Sequence, residues 1–175
     1  MRCLVLSDIH GNLAALEAVL ASAPPNLPVW CLGDVVGYGP SPNECIERLR
    51  SLDPRCIVGN HDWAVMNKVD VREFNPDAQL SVQWTQQCLD GDNLAYLESL
   101  CEKELQGEFT LVHGSPREPI WEYILEPLVA ALNFHLSWAS ANSSHVPVTI
   151  GITTARWMST MNSSKSSMPA RSTWI

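Results

Sequence analysis

Asp8, Asp34 and Asn60 stand 26 residues apart, and each lies at the end of a short apolar run. The runs cover residues 2–7, 28–32 and 55–58, and a fourth, 109–113, ends at His113, 53 residues beyond Asn60. Short apolar runs bounded by polar or turn residues read as buried strands. Helical patterns fill the gaps: Leu13, Leu16, Ala18, Val19 and Leu20 form an apolar face behind Asn12, a candidate N-cap. Ser41-Pro42 and Asn75-Pro76 each place a capping residue before a proline, and Asp92 can cap a helix over 93–101. Strands alternating with helices predict βαβ units and a largely parallel, sandwiched sheet. In such sheets polar residues just past the strand C-termini line the ligand crevice. The spacing therefore brings four metal-competent side chains to one edge of the sheet.

The rest of the composition narrows the class. With 175 residues, 46% hydrophobic and 17% charged, the chain fits one soluble globular domain. A formal net charge of -8 repels phosphate backbones, so nucleic-acid binding is not expected. An acidic protein can still take an anionic substrate where bound cations reverse the field. Six cysteines without a C-x-x-C pair read as reduced thiols, three of them inside apolar runs. The apolar run of four before Asp8 is too short for a signal peptide, and no run reaches 18 residues. A cytoplasmic protein without a membrane span is the expectation.

Four motifs carry the chemistry: Asp8-Ile9-His10 with Gly11-Asn12, Gly33-Asp34, Gly59-Asn60-His61-Asp62, and Val112-His113-Gly114. Carboxylate and amide oxygens mixed with imidazole nitrogens suit divalent Mn, Fe, Zn, Ni or Co. A carboxylate such as Asp34 can bridge two ions about 3.5–4 Å apart, which activate a shared water and clamp a phosphoryl group. Singly, each motif has a plainer explanation. Asp-x-His can be a strand-end cap, Gly-Asp a turn and His113 a core histidine. All four in order, at strand ends, point to a metal site.

This order resembles the calcineurin-like metallophosphoesterases, whose signature runs D-x-H, G-D, G-N-H-D/E, H-G and finally G-H-x-H. The resemblance covers residues 1 to about 126 and extends to GDVVGYGPSPNECIERLR, CIVGNHDWAV, FNPDA and HGSPREPIWEYI. It implies an α/β (α+β) four-layer sandwich, two mixed β-sheets flanked by helices, here with the C-terminal strands incomplete. It implies that Asp8 and His10 hold a first ion, that Asp34 bridges, and that Asn60 and His113 hold a second. His61 would protonate the leaving oxygen or stabilise the transition state, and Asp62 would orient the His61 ring. The nucleophile would be a bridging hydroxide. Arg117 could touch a substrate phosphate or be a surface charge beside Pro116. Trp121 and Tyr123 read as core residues, and Gly37-Tyr38-Gly39-Pro40 as a loop near the site or a simple turn.

The match fails at its end. The G-H-x-H motif is absent, and Ser143-Ser144-His145-Val146-Pro147 is the nearest approach. On that alignment His145 is the fourth ligand of the first ion, with Ser143 where a histidine belongs; His135 is the other candidate. Residues 137–175 contain no Leu, Asp or Glu, whereas Ser and Thr supply 15 of these 39 positions. We read 1–136 as the metallophosphoesterase domain and 137–175 as an atypical Ser/Thr-rich tail, frame-disturbed or disordered. Two functions stand against each other. One is a metal-dependent phosphoesterase with two divalent ions, acting on small mono- or diesters or nucleotide phosphates. The other is a degenerate relative that serves as a metal- or phosphate-binding module.

Overall fold

The computed structural model describes residues 2–107 and 109–140. The expected tail therefore lies outside the described residues from 141 onward, and His145 with it. Strand β1 (Leu4–Leu6) is followed by α1 (Leu13–Ser22), β2 (Val29–Cys31), α2 (Pro42–Arg50) and β3 (Arg55–Cys56). The order β1-β2-β3 is parallel, with Leu4 opposite Val29 and Cys31 opposite Cys56. Helices α3 (Asn60–Val65), α4 (Pro76–Cys88) and α5 (Gly91–Ser99) come next, then the antiparallel pair β4 (Lys103–Gln106) and β5 (Phe109–Val112), and finally α6 (Pro127–Ser140). Two sheets with helices agree with the expected architecture. Among the described residues, though, the first sheet is wholly parallel and the second is a single hairpin rather than a mixed sheet. Helix α6 continues across the expected boundary at residue 136.

Alternation along the strands explains the layers, because successive side chains point to opposite faces. Leu4, Leu6, Val29, Cys31 and Cys56 face a core completed by Leu16 of α1, Ile46 and Leu49 of α2, Val65, Val82 and Leu97. Val5, Trp30 and Ile57 face the other way and meet Leu111 and Phe109 of β5. Trp30 and Phe109 touch edge to face with centroids 5.4 Å apart. Each fully buried Leu or Ile here contributes about 1.5–3 kcal/mol over its exposed state. Glu17 of α1 accepts from Arg48 of α2 at 2.7 Å, an exposed pair worth about 0–1 kcal/mol, so packing rather than charge holds these helices.

The helix starts match the sequence reading only in part. Asn12 and Asn75 accept from Ala15 N and Ala78 N, both at 3.0 Å, as N-caps do. Ser41 precedes α2 without a side-chain cap bond. Asp90, not Asp92, caps α5 by accepting from Asn93 N at 2.8 Å, and Asp92 sits in the first turn.

Candidate metal centre

The parallel ladder runs on past the strand ends and builds the site. Asp8 N donates to Gly33 O (3.1 Å), His10 N to Asp34 O (2.9 Å), Gly11 N to Val35 O (2.9 Å) and Gly39 N to His10 O (2.8 Å). Asp8, His10 and Asp34 take φ of 55°, 49° and 54°, a left-handed conformation that costs non-glycine residues energy. Such strain persists where the surroundings over-determine it. Glycine is obligatory at 59, where a Cβ would overlap the Asp34 amide and carboxylate. That close approach sets the Gly-Asp and Gly-Asn motifs back to back.

Five of the expected ligands converge: Asp8, His10, Asp34, Asn60 and His113. Asp34 is 2% exposed, and its Oδ2 lies 3.7 Å from His10 Nε2 and 3.5 Å from His113 Nε2. His10 Nε2 is also 3.7 Å from Asp8 Oδ1. His113 Nδ1 lies 2.7 Å from Leu32 O, which orients the ring and leaves Nε2 facing Asn60 Oδ1 at 3.0 Å. Two overlapping sets of donor atoms, Asp8-Asp34-His113 and His10-Asp34-His61, each fall within 4.8 Å, and Asp34 belongs to both.

The electrostatics ask for a cation. Burial and the neighbouring Asp62 charge push Asp34 well above the usual carboxylate range. Burial also opposes the charged form of Asp8, but hydrogen bonds from His10 and Ser7 outweigh it and hold that carboxyl below its ordinary value. Burial lowers His10, while Asp8 and Asp34 overcome it and raise the imidazole. Among the described residues, His61 Nδ1 is buried without a hydrogen-bond partner. A buried carboxylate between imidazoles beside an orphaned ring nitrogen fits divalent metal, since buried charges are paired or coordinate metals.

Asp62 departs from its expected role. Its carboxylate accepts from four backbone amides: Asp34 N (2.8 Å) and Gly59 N (3.0 Å) at Oδ2, Val35 N (2.9 Å) and Val36 N (3.1 Å) at Oδ1. The amides of the 34–36 loop and of Gly59 saturate it, and it makes no hydrogen bond to the His61 ring. It shapes the loop that carries Asp34 instead of orienting the ring. His61 is wedged among aromatic neighbours, with centroids 4.7 Å from His10, 4.8 Å from Tyr38 and 4.9 Å from Phe74. The sequence carried a signal for Phe74 in the FNPDA segment, but its contact with His61 was not readable there. Tyr123 is 48% exposed rather than core, and its phenol is raised by burial and by the charges of Asp34 and Asp8. Arg117 pairs with Glu122, which also accepts from Ser115 Oγ (2.6 Å) and Asn133 Nδ2 (2.7 Å). His135 is exposed on α6.

Burial first, and the charges of His10 and His113 next, lower His61 from 6.5 to about 4. The folded state then binds fewer protons than the unfolded chain between those values. Stability linked to His61 is complete above pH 6.5 and is lost as pH falls toward 4, by roughly 3 kcal/mol. In metal-free protein, urea unfolding at pH 7 and pH 4.5 should show a larger loss for wild type than for His61→Gln. Equal losses would contradict the shift.

The profile of the calcineurin-like phosphoesterase family matches residues 1–162. A crystal structure of a metallophosphoesterase from Sphaerobacter thermophilus superposes with a TM-score of 0.68 at 49% identity, over 77% of this chain and 55% of that one. A protein of Methanocaldococcus jannaschii is 37% identical over 150 residues, 82% of this chain and 62% of its own length. A symmetrical bis(5'-nucleosyl)-tetraphosphatase of Yersinia pestis is 39% identical over 67 residues, 35% of this chain and 23% of that protein. The chain thus spans less than two thirds of the length of these relatives. No helix among the described residues is long and apolar enough to cross a membrane.

Proposed function

Since the chain belongs to the calcineurin-like phosphoesterase family, we propose that it hydrolyses small phosphate mono- or diesters or nucleotide phosphates with two divalent ions. The reading rests on one observation: the buried Oδ2 of Asp34 lies between the Nε2 atoms of His10 and His113. Asp8 and His10 would hold one cation with Asp34, and Asn60 and His113 the other. Such ions, when bound, supply charge that activates water and neutralises phosphoryl oxygens.

The chain's own groups do the rest. The backbone of Leu32 fixes the His113 ring, and the four amides on Asp62 fix the loop behind Asp34, so the donors are preorganised. His61, held neutral at pH 7 in the metal-free site, acts as a hydrogen-bond donor to a phosphoryl or leaving-group oxygen rather than as an imidazolium. Arg117 stays a candidate phosphate contact only if it leaves Glu122. His145, within the atypical 137–175 tail, is the remaining candidate ligand of the first ion. The small phosphorylated substrate and a cytoplasmic location belong to the same proposal.

Hydrolysis of p-nitrophenyl phosphate and its bis ester with Mn²⁺ tests the reading, together with metal content per chain. Turnover lost in Asp34→Ala and His61→Ala, with about two ions bound, supports it. Ser143, where the family's G-H-x-H motif has a histidine, favours a second reading, an impaired metal- or phosphate-binding module. One ion or none, with no turnover above the metal-only background, would assign that role.

A further inference from the structure

The segment HGSPREPIWEYI, residues 113–124, holds a hydrogen-bond network centred on the carboxylate of Glu122. Its Oε2 accepts from Ser115 Oγ at 2.6 Å and from Asn133 Nδ2 at 2.7 Å, and its Oε1 accepts from Arg117. Ser115 has no exposed surface, and Asn133 of α6 is buried. Asn133 closes the circuit, because its Oδ1 accepts from Arg117 N at 3.1 Å, while its Nδ2 also donates to Val129 O at 3.1 Å. A buried amide on a largely apolar helix is costly unless its hydrogen bonds are made, and here both ends of the amide are paired. Backbone bonds wrap the segment around this centre: Ser115 N donates to Glu118 O at 3.2 Å, and Glu122 N to the same oxygen at 3.3 Å.

The network reaches the metal-competent groups from both ends. Gly114 follows His113 directly, and a Cβ there would lie 2.8 Å from Glu118 O and 3.1 Å from Glu122 N. The backbone of Glu122 therefore rests against the residue next to the His113 ligand. On the other side Trp121 meets Phe74 edge to face at 5.2 Å, and Phe74 meets His61 at 4.9 Å. Trp121 precedes Glu122 in the chain, so one anchored carboxylate sets both contacts. Close-packed interiors pass such displacements on rather than absorbing them.

We propose that Glu122, pinned by Asn133 of α6, is a positioning residue for the site, aligning His113 through Gly114 and His61 through Trp121 and Phe74. The proposal rests on the metal-dependent reading of that site. Arg117 then serves the anchor, and its loss acts through the ligands. Removing the partners that orient metal ligands costs about 10–100-fold in metal affinity or activity, and a support one step further back acts at the low end.

Asn133→Asp sets a second carboxylate against Glu122, whereas Glu122→Gln/Asn133→Asp restores the pair with donor and acceptor exchanged. In calorimetric titration with Mn²⁺, Asn133→Asp should raise the Kd about tenfold, and the double variant should return it to within about threefold of wild type. At saturating Mn²⁺, kcat for p-nitrophenyl phosphate should fall and recover in the same pattern, with KM changed by less than about threefold. Leu97→Ala, in the core packed by α5, separates positioning from lost stability: it should lower the unfolding midpoint and leave the Kd unchanged. A Kd for Asn133→Asp within about twofold of wild type, or no recovery in the double variant, overturns the proposal. If Asn133→Asp does not fold, Arg117→Met takes its place and should raise the Kd by at least about threefold. A raised KM with an unchanged Kd in that variant would put Arg117 on the phosphate and overturn the proposal. Absence of turnover in wild type removes the phosphoesterase reading alone, and the Mn²⁺ titration still decides the positioning. A wild type that takes up no Mn²⁺ overturns both.

Discussion

Asp62→Ala is expected to lower the unfolding free energy of the metal-free protein by about 4 kcal/mol or more, a large part of what a domain of this size holds. The reason is local. One carboxylate with no exposed surface accepts four backbone amides from Asp34, Val35, Val36 and Gly59. Alanine leaves those donors buried and unpaired, and each unsatisfied group costs about 1–3 kcal/mol. Asp62→Asn keeps the shape but retains a single acceptor oxygen, so a loss of about 2–3 kcal/mol is expected. Mn²⁺ should not rescue either variant, because the damage lies in the loop under the ligands. Urea denaturation followed by circular dichroism gives the result. Losses below about 1 kcal/mol in both variants would show that water can replace the carboxylate.

Asp34→Asn should act in the opposite direction on stability while abolishing function. Burial and the Asp62 charge push the Asp34 carboxyl well above its usual range, even with His10 nearby to oppose them. Its ionised form is therefore disfavoured by folding, and the deficit appears as pH rises through the raised folded value. Asparagine keeps an oxygen to accept from His61 N, now bonded to Asp34 Oδ1 at 2.9 Å, and removes the charge. At pH 7 in a chelator, the variant should be more stable than wild type by about 1–2 kcal/mol. Adding Mn²⁺ should reverse the order, since ligand binding stabilises only the protein that can bind it. Hydrolysis should fall to the metal-only background. A variant less stable than wild type in the chelator would mean that the histidines already neutralise Asp34.

The parallel strands were legible because buried strands read as continuous apolar runs, and 2–7, 28–32 and 55–58 each contain one. Helix α3 was not. Asn60, His61 and Asp62 have weak helix propensity and look like a turn, yet they form its first residues, with Asp62 accepting from Gly59 N. Strand β4 was also invisible, because Lys103–Gln106 is polar and owes its conformation to pairing with β5. Helix α6 was illegible for a different reason: the composition changes at residue 136, inside the apolar helix Pro127–Ser140. The Asp90 cap lost to Asp92 in the reading because caps of equal propensity two residues apart differ only in backbone geometry.

At the site the division is sharper. The donor types, their order and their placement at strand ends follow from the sequence, since a period near 26 residues returns each βα unit to the same edge of the sheet. The partners of each donor were decided by tertiary structure. Asp34 Oδ2 lies between His10 and His113, residues 24 before and 79 after it in the chain, and Asp62 serves a loop 26–28 residues earlier rather than the histidine beside it. Hydrogen bonds act over about 3 Å, so a shift of one rotamer or one backbone turn changes which partner is reached. Sequence spacing carries the chain to the right edge of the sheet; only the packed backbone, strained at Asp8, His10, Asp34 and Tyr38, brings the atoms within that range.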